Sequence, residues 1–386
     1  MFHTHNISDD PSYLVADYDP FSLTVWLLKF RKNKPYLEHC VRSFFSPEER
    51  SFHPRIFERN LHQSCEQLSK IVGTLPSQIC LFLDTGESAA TSTGYTFSRP
   101  DKEVPVSLEE INLYAHNLLH QANHNIQKLW HEESWHPEHS RKLLSLFLSH
   151  LSLDKRHHVF PLGKIASQVG IRCLFFYCNA SLIDGISRSI HAAGYDLLTC
   201  VPLPMIFLNH LCNQKTFLDN HLHIHLWYET TSVILHLGKF VQEVQSIPFG
   251  WQVLDSRLAE QFSPLERESL LMGSNIDTLK SLPEFDFYRD FLSASVIALF
   301  EKFGLQWSFH EITVSSQWPA DIFGEIIKSG WLSPWVQKNA VMKRIGADSH
   351  DHWLQYCSTL DPLFSLNPHP LLSLIRSVFI SPHAPH

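Results

Sequence analysis

One local pattern occurs twice in this chain, and it constrains the fold more than any overall property does. In residues 221–250, HLHIHLWYETTSVILHLGKFVQEVQSIPFG, Leu222, Ile224 and Leu226 alternate with His221, His223 and His225, the period-two signature of a strand. Tyr228-Glu229-Thr230-Thr231 interrupts the alternation as a tight turn, and Val233, Leu235 and Leu237 resume it. Gly238-Lys239 makes a second turn, 241–247 supplies a third strand, and a helical pattern follows over 251–262. The same order is legible near the start: a strand at 13–16, a turn at Asp17-Tyr18-Asp19-Pro20, a strand at 23–30, a polar turn at 31–34 and a third strand at 36–45. A helix over 54–72 comes next, with Phe57, Leu61, Cys65, Leu68 and Val72 on one face and Gly73 as its stop. Two copies of strand–turn–strand–turn–strand–helix predict a duplicated α/β fold, with the two first turns facing each other across a cleft.

This duplication resembles the actin/Hsp70/sugar-kinase superfamily, whose first turns grip the phosphates of a nucleotide, and within it the FtsA-like cell-division family. Thr230-Thr231 stand where that family's second phosphate motif has paired threonines, and Ile247-Pro248-Phe249-Gly250 matches its I-P-x-G after the third strand. Pro161-Leu162-Gly163 with Val169-Gly170-Ile171-Arg172 is similar to its P-L-G-x-x-G-V-R segment, and Val341-Met342-Lys343-Arg344-Ile345-Gly346 to its late V-R-I-G. The resemblance spans residues 12–365 and implies a two-lobed, ribonuclease-H-like (actin-like ATPase) α/β fold. By the same resemblance, 1–78 with 179–212 form the first lobe, and 79–178 an inserted α+β subdomain of SHS2 (1C) type. The second lobe then covers 213–364, and 365–386 is a linker with a C-terminal tail.

Within the insertion, 79–83 reads as a short apolar strand and 85–100 as a polar stretch. Ser107-Leu108-Glu109-Glu110 is a capping box opening a helix with Ile111, Ala115, Leu118, Ala122, Ile126 and Leu129 on one face. Apolar strands follow at 143–153 and 171–177. Asn179 then caps a helix with Leu182, Ile183, Ile186 and Ile190 inward and Gly194 at its end. In the second lobe, Phe287, Phe291, Val296, Leu299 and Phe303 suggest the inner face of a helix, and 311–315 a buried strand.

The phosphate chemistry of the family is mostly replaced. A phosphate loop needs glycine because backbone N–H groups must converge on the anion without a side chain in the way. In the first turn Asp17 keeps the position that could order a magnesium-bound water, but Asp19 puts a negative charge where phosphate would sit and Pro20 removes a donor. In the second turn His225 replaces the family aspartate, and Trp227, Tyr228 and Glu229 replace the glycines. The adenosine-binding T-G-G reads Ser315-Ser316-Gln317-Trp318-Pro319. A carboxylate ~4–6 Å from an anion repels it by about 1–4 kcal/mol. The expectation is a remnant nucleotide cleft at Asp17, Thr230 and Thr231, with no catalytic residue and no cofactor, or ATP with magnesium if the cleft still binds. No other glycine pair could serve, since the chain has no G-x-G, and glycine is 14 of 386 residues, about half the usual share.

Histidine is abundant at 26 residues and scattered. Alternate strand residues share a face, so His221, His223 and His225 could present imidazoles to one metal. Without an identified carboxylate or cysteine partner, the preferred reading is a half-buried strand with its polar residues on the wetter face, and no metal site is assigned. His131, His136 and His139 fall in a loop-like stretch and rank lower. A net charge of −8 with mixed signs and no basic stripe disfavours nucleic acid. Eight cysteines without a C-x-x-C pair suggest reduced thiols in the cytoplasm. No apolar run is long enough to span a membrane, and Met-Phe-His-Thr-His does not open a signal peptide.

Near the C-terminus, Leu371, Leu372, Ile375, Val378 and Phe379 form an apolar stripe at helical spacing, with Arg376 as its cation. FtsA-like proteins end in an amphipathic helix that lies in the membrane interface. The stripe thus has two readings, a membrane anchor or a helix packed on the second lobe, and the linker at 365–370 favours the first. The implied function is a division scaffold linking a tubulin-like (FtsZ-type) filament to the inner face of the cell membrane, with self-association through the inserted subdomain. The alternatives are an active actin-like ATPase or sugar kinase, and a PilM-like pilus assembly protein.

Overall fold

The structure is a computed structural model describing residues 12–18, 22–31, 34–46, 49, 53–83, 85, 87–132, 141–157, 161–202, 220–226, 228–237, 240–247, 249–271, 276–302, 309–316, 332, 334 and 336–346. The described residues fall into two compact units: 12–83 with 181–202, and 85–180 with 220–346.

The first unit is built on β1 (Ser12–Tyr18), β2 (Ser22–Arg31) and β3 (Lys34–Phe44), followed by α1 (Pro54–Val72) and β4 (Gln78–Leu83). The sheet order is β3-β2-β1-β4-β9, the last strand arriving later in the chain. Neighbours among β1–β3 are antiparallel and β1–β4 is parallel, with Asp17 opposite Thr24 on one side and Phe82 on the other. Helix α1 buries Phe57, Leu61, Cys65 and Leu68, the face its spacing predicts. Its stop is Gly73 at φ +86°, a left-handed conformation that glycine adopts without a Cβ penalty.

β4 corrects one expectation. The strand at 79–83, predicted to open the insertion, pairs in parallel with β1 and belongs to the first sheet. A five-residue apolar run carries no information on which sheet will bury it, and Ile79, Cys80, Leu81, Phe82 and Leu83 are all within 1 % of full burial, as a central strand requires.

The inserted module follows, with β5 (Ser88–Ser98), α2 (Leu108–Glu132), β6 (Arg141–Leu153), β7 (Arg156–His157) and β8 (Gln168–Asn179) in the sheet order β5-β8-β6-β7. β5 lies in the stretch read from the sequence only as polar, with Gly, Ser and Thr. Its register with β8 is unbroken from Ser88–Cys178 to Ser98–Gln168, so tertiary pairing overrode local propensity. α2 packs Ile111, Tyr114, Leu118, Ala122 and Ile126 onto Val169, Ile171, Cys173 and Phe175 of that sheet. Ser107 caps α2 by accepting the Glu110 amide at 3.2 Å. The Glu110 carboxylate, which also interacts with the Ser107 backbone as the capping box requires, is held by two guanidinium bonds from buried Arg99, at 2.7 and 2.9 Å, and by the Tyr114 hydroxyl at 2.8 Å. The chain then returns to the first unit through α3 (Ala180–Ala192), which buries Leu182, Ile183, Ile186 and Ile190, and β9 (Asp196–Pro202), parallel to β4.

The second half repeats the first: β10 (His221–Leu226), β11 (Thr231–Leu237) and β12 (Phe240–Ile247) are antiparallel neighbours. Helices α4 (Gln252–Leu258), α5 (Pro264–Leu271), α6 (Ile276–Lys280) and α7 (Pro283–Lys302) come next, then β13 (Phe309–Ser316) and β14 (Val336–Gly346). The order β12-β11-β10-β13-β14 is that of the first sheet, strand for strand. The duplicated α/β architecture is therefore present.

Two expectations for this half are corrected. β10 is not half-exposed: its three histidines are as buried as its three aliphatic residues, because a central strand is covered on both faces. In α7, Phe287 and Phe291 are 41 % and 46 % exposed, whereas Phe285, Tyr288, Leu292, Val296 and Phe300 are buried. The step from 291 to 296 is five residues, about 140° away in phase, so the two rings lie off the buried stripe. The tail residues Leu371, Leu372, Ile375, Arg376, Val378 and Phe379 lie outside the described residues, as do Asp19, Pro20, Trp227 and 317–319. Among the described residues no helix is long and apolar enough to cross a membrane.

Candidate functional site

Asp17 belongs to the first unit, half-buried near the end of β1. Thr230 and Thr231 belong to the second, at the turn between β10 and β11, and are 3 % and 0 % exposed.

That second turn is closed onto its own unit. The Thr231 hydroxyl donates to the Phe249 carbonyl at 2.6 Å, and this uses the single proton a hydroxyl has to give. Tyr228 is buried, and its carbonyl accepts the Gln252 amide at 2.6 Å. Its ring meets Trp251 edge-on at 4.6 Å, and its hydroxyl donates to Asp255 Oδ2 at 2.7 Å. Buried Asp255 is also ion-paired with Arg267, whose Nε lies 3.0 Å from Oδ1. The charge-assisted bond from the Tyr228 hydroxyl anchors the turn to α4, and the ion pair carries the link on to α5. Phe249, which receives the Thr231 bond, stacks on Tyr288 at 5.2 Å and leans on Phe291 at 4.4 Å, continuing the anchorage to α7. The turn is thus filled by a bulky ring tied through its hydroxyl to Asp255.

The histidine strand forms pairs. His221 faces His236 of β11 and Glu311 of β13 in register, with its Nδ1 3.6 Å from Glu311 Oε1 and ring centroids 6.3 Å from His236. The His223 and His225 rings are stacked with centroids 6.2 Å apart. Burial pushes His236 down to about 4, so it is neutral near pH 7. Among the described residues no three His, Cys, Asp or Glu side chains converge as metal ligands.

A second polar site, invisible in the sequence, joins the inserted module to β12. Arg172 of β8 crosses Gly94 of β5, where an added Cβ would meet the arginine side chain at 3.2 Å. Its Nη1 then donates to the Gln242 carbonyl at 2.8 Å and to Glu243 Oε1 at 2.6 Å. Four residues along β5, the Ala90 amide donates to Ser246 Oγ at 3.1 Å. Burial pushes the Glu243 carboxyl up to about 7, outweighing the opposite pull of the Arg172 guanidinium. Nothing local marks Arg172 and Glu243 as partners, since they are 71 residues apart.

No protein-family model matches this chain, and no curated protein matches it. Among solved structures, a chain of the PilM–PilN type IV pilus biogenesis complex superposes with a TM-score of 0.55 at 13 % identity, covering 95 % of this chain and 98 % of that one. The ethanolamine utilization protein EutJ from Carboxydothermus hydrogenoformans gives 0.41 at 10 % identity, over 86 % of this chain and 85 % of that one. A Bacteroides thetaiotaomicron protein with an actin-like ATPase fold and unknown function gives 0.42 at 5 % identity, over 92 % and 98 %. The chain has the actin-like ATPase fold, of which the two sheets of identical strand order are the duplicated halves. At these identities the likeness concerns the fold alone.

Proposed function

We propose that this chain is a protein-binding scaffold of the actin-like ATPase fold that does not turn over nucleotide. The observation that carries the reading is the second turn, where Tyr228 is anchored to Asp255 and Thr231 to Phe249. Asp19, Pro20 and the Trp318-Pro319 pair, where the family has glycine and threonine, support it from the sequence. With its phosphate turn filled by side chains, the fold retains two units and an inserted module as surfaces for other proteins. By its FtsA-like motifs the chain would link a tubulin-like division filament to the membrane, with Leu371, Leu372, Ile375, Arg376, Val378 and Phe379 as the attachment. A pilus-assembly role is the second reading, favoured by the near-complete superposition on a chain of the PilM–PilN complex.

Calorimetry with ATP at tens of micromolar protein and millimolar magnesium tests the central claim. The expected outcome is no saturable heat. A dissociation constant below ~10 µM, about 7 kcal/mol of binding, would overturn it in favour of an active ATPase. Co-precipitation with a tubulin-like division protein, or with a PilN-type pilus biogenesis protein, separates the two scaffold readings.

A further inference from the structure

Helix α2 of the inserted module presents His116 and His120 on its exposed side, while Ile111, Ala115, Leu118, Ala122 and Ile126 hold the opposite side in the module core. Residues four apart on a helix stand one above the other, so the two imidazoles share a stripe on a rigid element. Their Nε2 atoms are 3.2 Å apart, with ring centroids at 4.8 Å and planes at 89°. Two ring nitrogens each ~2.0–2.1 Å from one ion would be separated by about 3.3–3.4 Å in a tetrahedral site and about 2.9 Å at a right angle. The observed 3.2 Å corresponds to an angle at the ion of about 100–105°, nearer the tetrahedral value.

We propose that His116 and His120 form a bidentate site for a divalent transition-metal ion of the zinc, copper and nickel class, with zinc as the probe ion. Without metal, one Nε2–H donates to the other Nε2. With metal, that proton moves to Nδ1 of the same ring, and both Nε2 lone pairs point at the ion. Imidazole is the borderline ligand that zinc, copper and nickel accept, while magnesium and calcium prefer oxygen. The second histidine acts intramolecularly, so losing either one should lower affinity on the order of 10²-fold.

The chain contains 26 histidines, so the test must resolve this pair from background binding. The untagged full chain is titrated with zinc against a chelating dye, alongside His116→Ala, His120→Ala, the double variant and His191→Ala, an exposed histidine outside α2. Alanine is the best helix former, so folding is not at issue, and melting without metal verifies it. The expected result is one site per chain weakened about 10²-fold in each single variant and no further in the double, with His191→Ala unchanged. The zinc-dependent rise in melting temperature should vanish in the same three variants. Unchanged affinity in either single variant, or a loss of only about twofold in each, would overturn the site and leave the 3.2 Å contact as a hydrogen bond.

Discussion

Glu243→Gln makes the joint between the inserted module and β12 testable through pH. The side chain of Glu243 is 16 % exposed and lies 2.6 Å from Arg172, yet burial lifts its carboxyl from 4.5 to about 7. The folded protein therefore holds this proton more tightly than the unfolded chain does. Between these two values the native state binds more protons, so the contribution of Glu243 to stability falls as pH rises. From about pH 5 to pH 8 the loss amounts to roughly 2–3 kcal/mol, taking each pKa unit as ~1.4 kcal/mol. Glutamine keeps the size and an oxygen for Arg172 but cannot titrate. Urea unfolding of both proteins at the two pH values, followed by circular dichroism, gives the difference directly. Relative to the native protein, the variant should gain roughly 2–3 kcal/mol on going to the higher pH. Comparing the two proteins cancels the titration of all other groups. A difference that stays constant within ~0.5 kcal/mol across this range would refute the argument that burial outweighs the guanidinium at this site.

Tyr228→Phe removes the bond to the Asp255 carboxylate and should cost about 1.5–3 kcal/mol in urea unfolding; a change below ~0.5 kcal/mol would mean the hydroxyl does not anchor the turn. Tyr288→Ala, in the fully buried stripe of α7, should cost about 3–5 kcal/mol. Phe287→Ala, at a residue 41 % exposed whose ring carries the Arg257 guanidinium at 3.7 Å, should cost about 1 kcal/mol. Co-sedimentation with anionic vesicles should fall in a chain ending at Leu366 and in Ile375→Asp, since burying a large apolar side chain is worth ~1.5–3 kcal/mol. Equal pelleting of all three would remove the membrane claim, and a loss of thermal stability on truncation would favour a packed helix.

The duplication was legible because its signals are local. Alternating aliphatic residues, turn residues such as Glu229, and a helix stopped by Gly73 each depend on a few neighbours, and the two sheets follow that pattern strand for strand. The buried faces of α1, α2 and α3 were likewise written in spacing of three and four residues. The bulky residues of the second turn, Tyr228 and Glu229, were also visible, since they are a matter of residue identity. What covers a face was not. Alternation on β10 says which residues point the same way, but only its place between β11 and β13 buries the histidines. The same limit sent β4 to the wrong sheet and placed Phe287 and Phe291 inward. Partners distant in the chain were beyond reach altogether: Tyr228 finds Asp255 across 27 residues and Arg172 finds Glu243 across 71, because folding brings their elements together and no periodicity encodes that meeting.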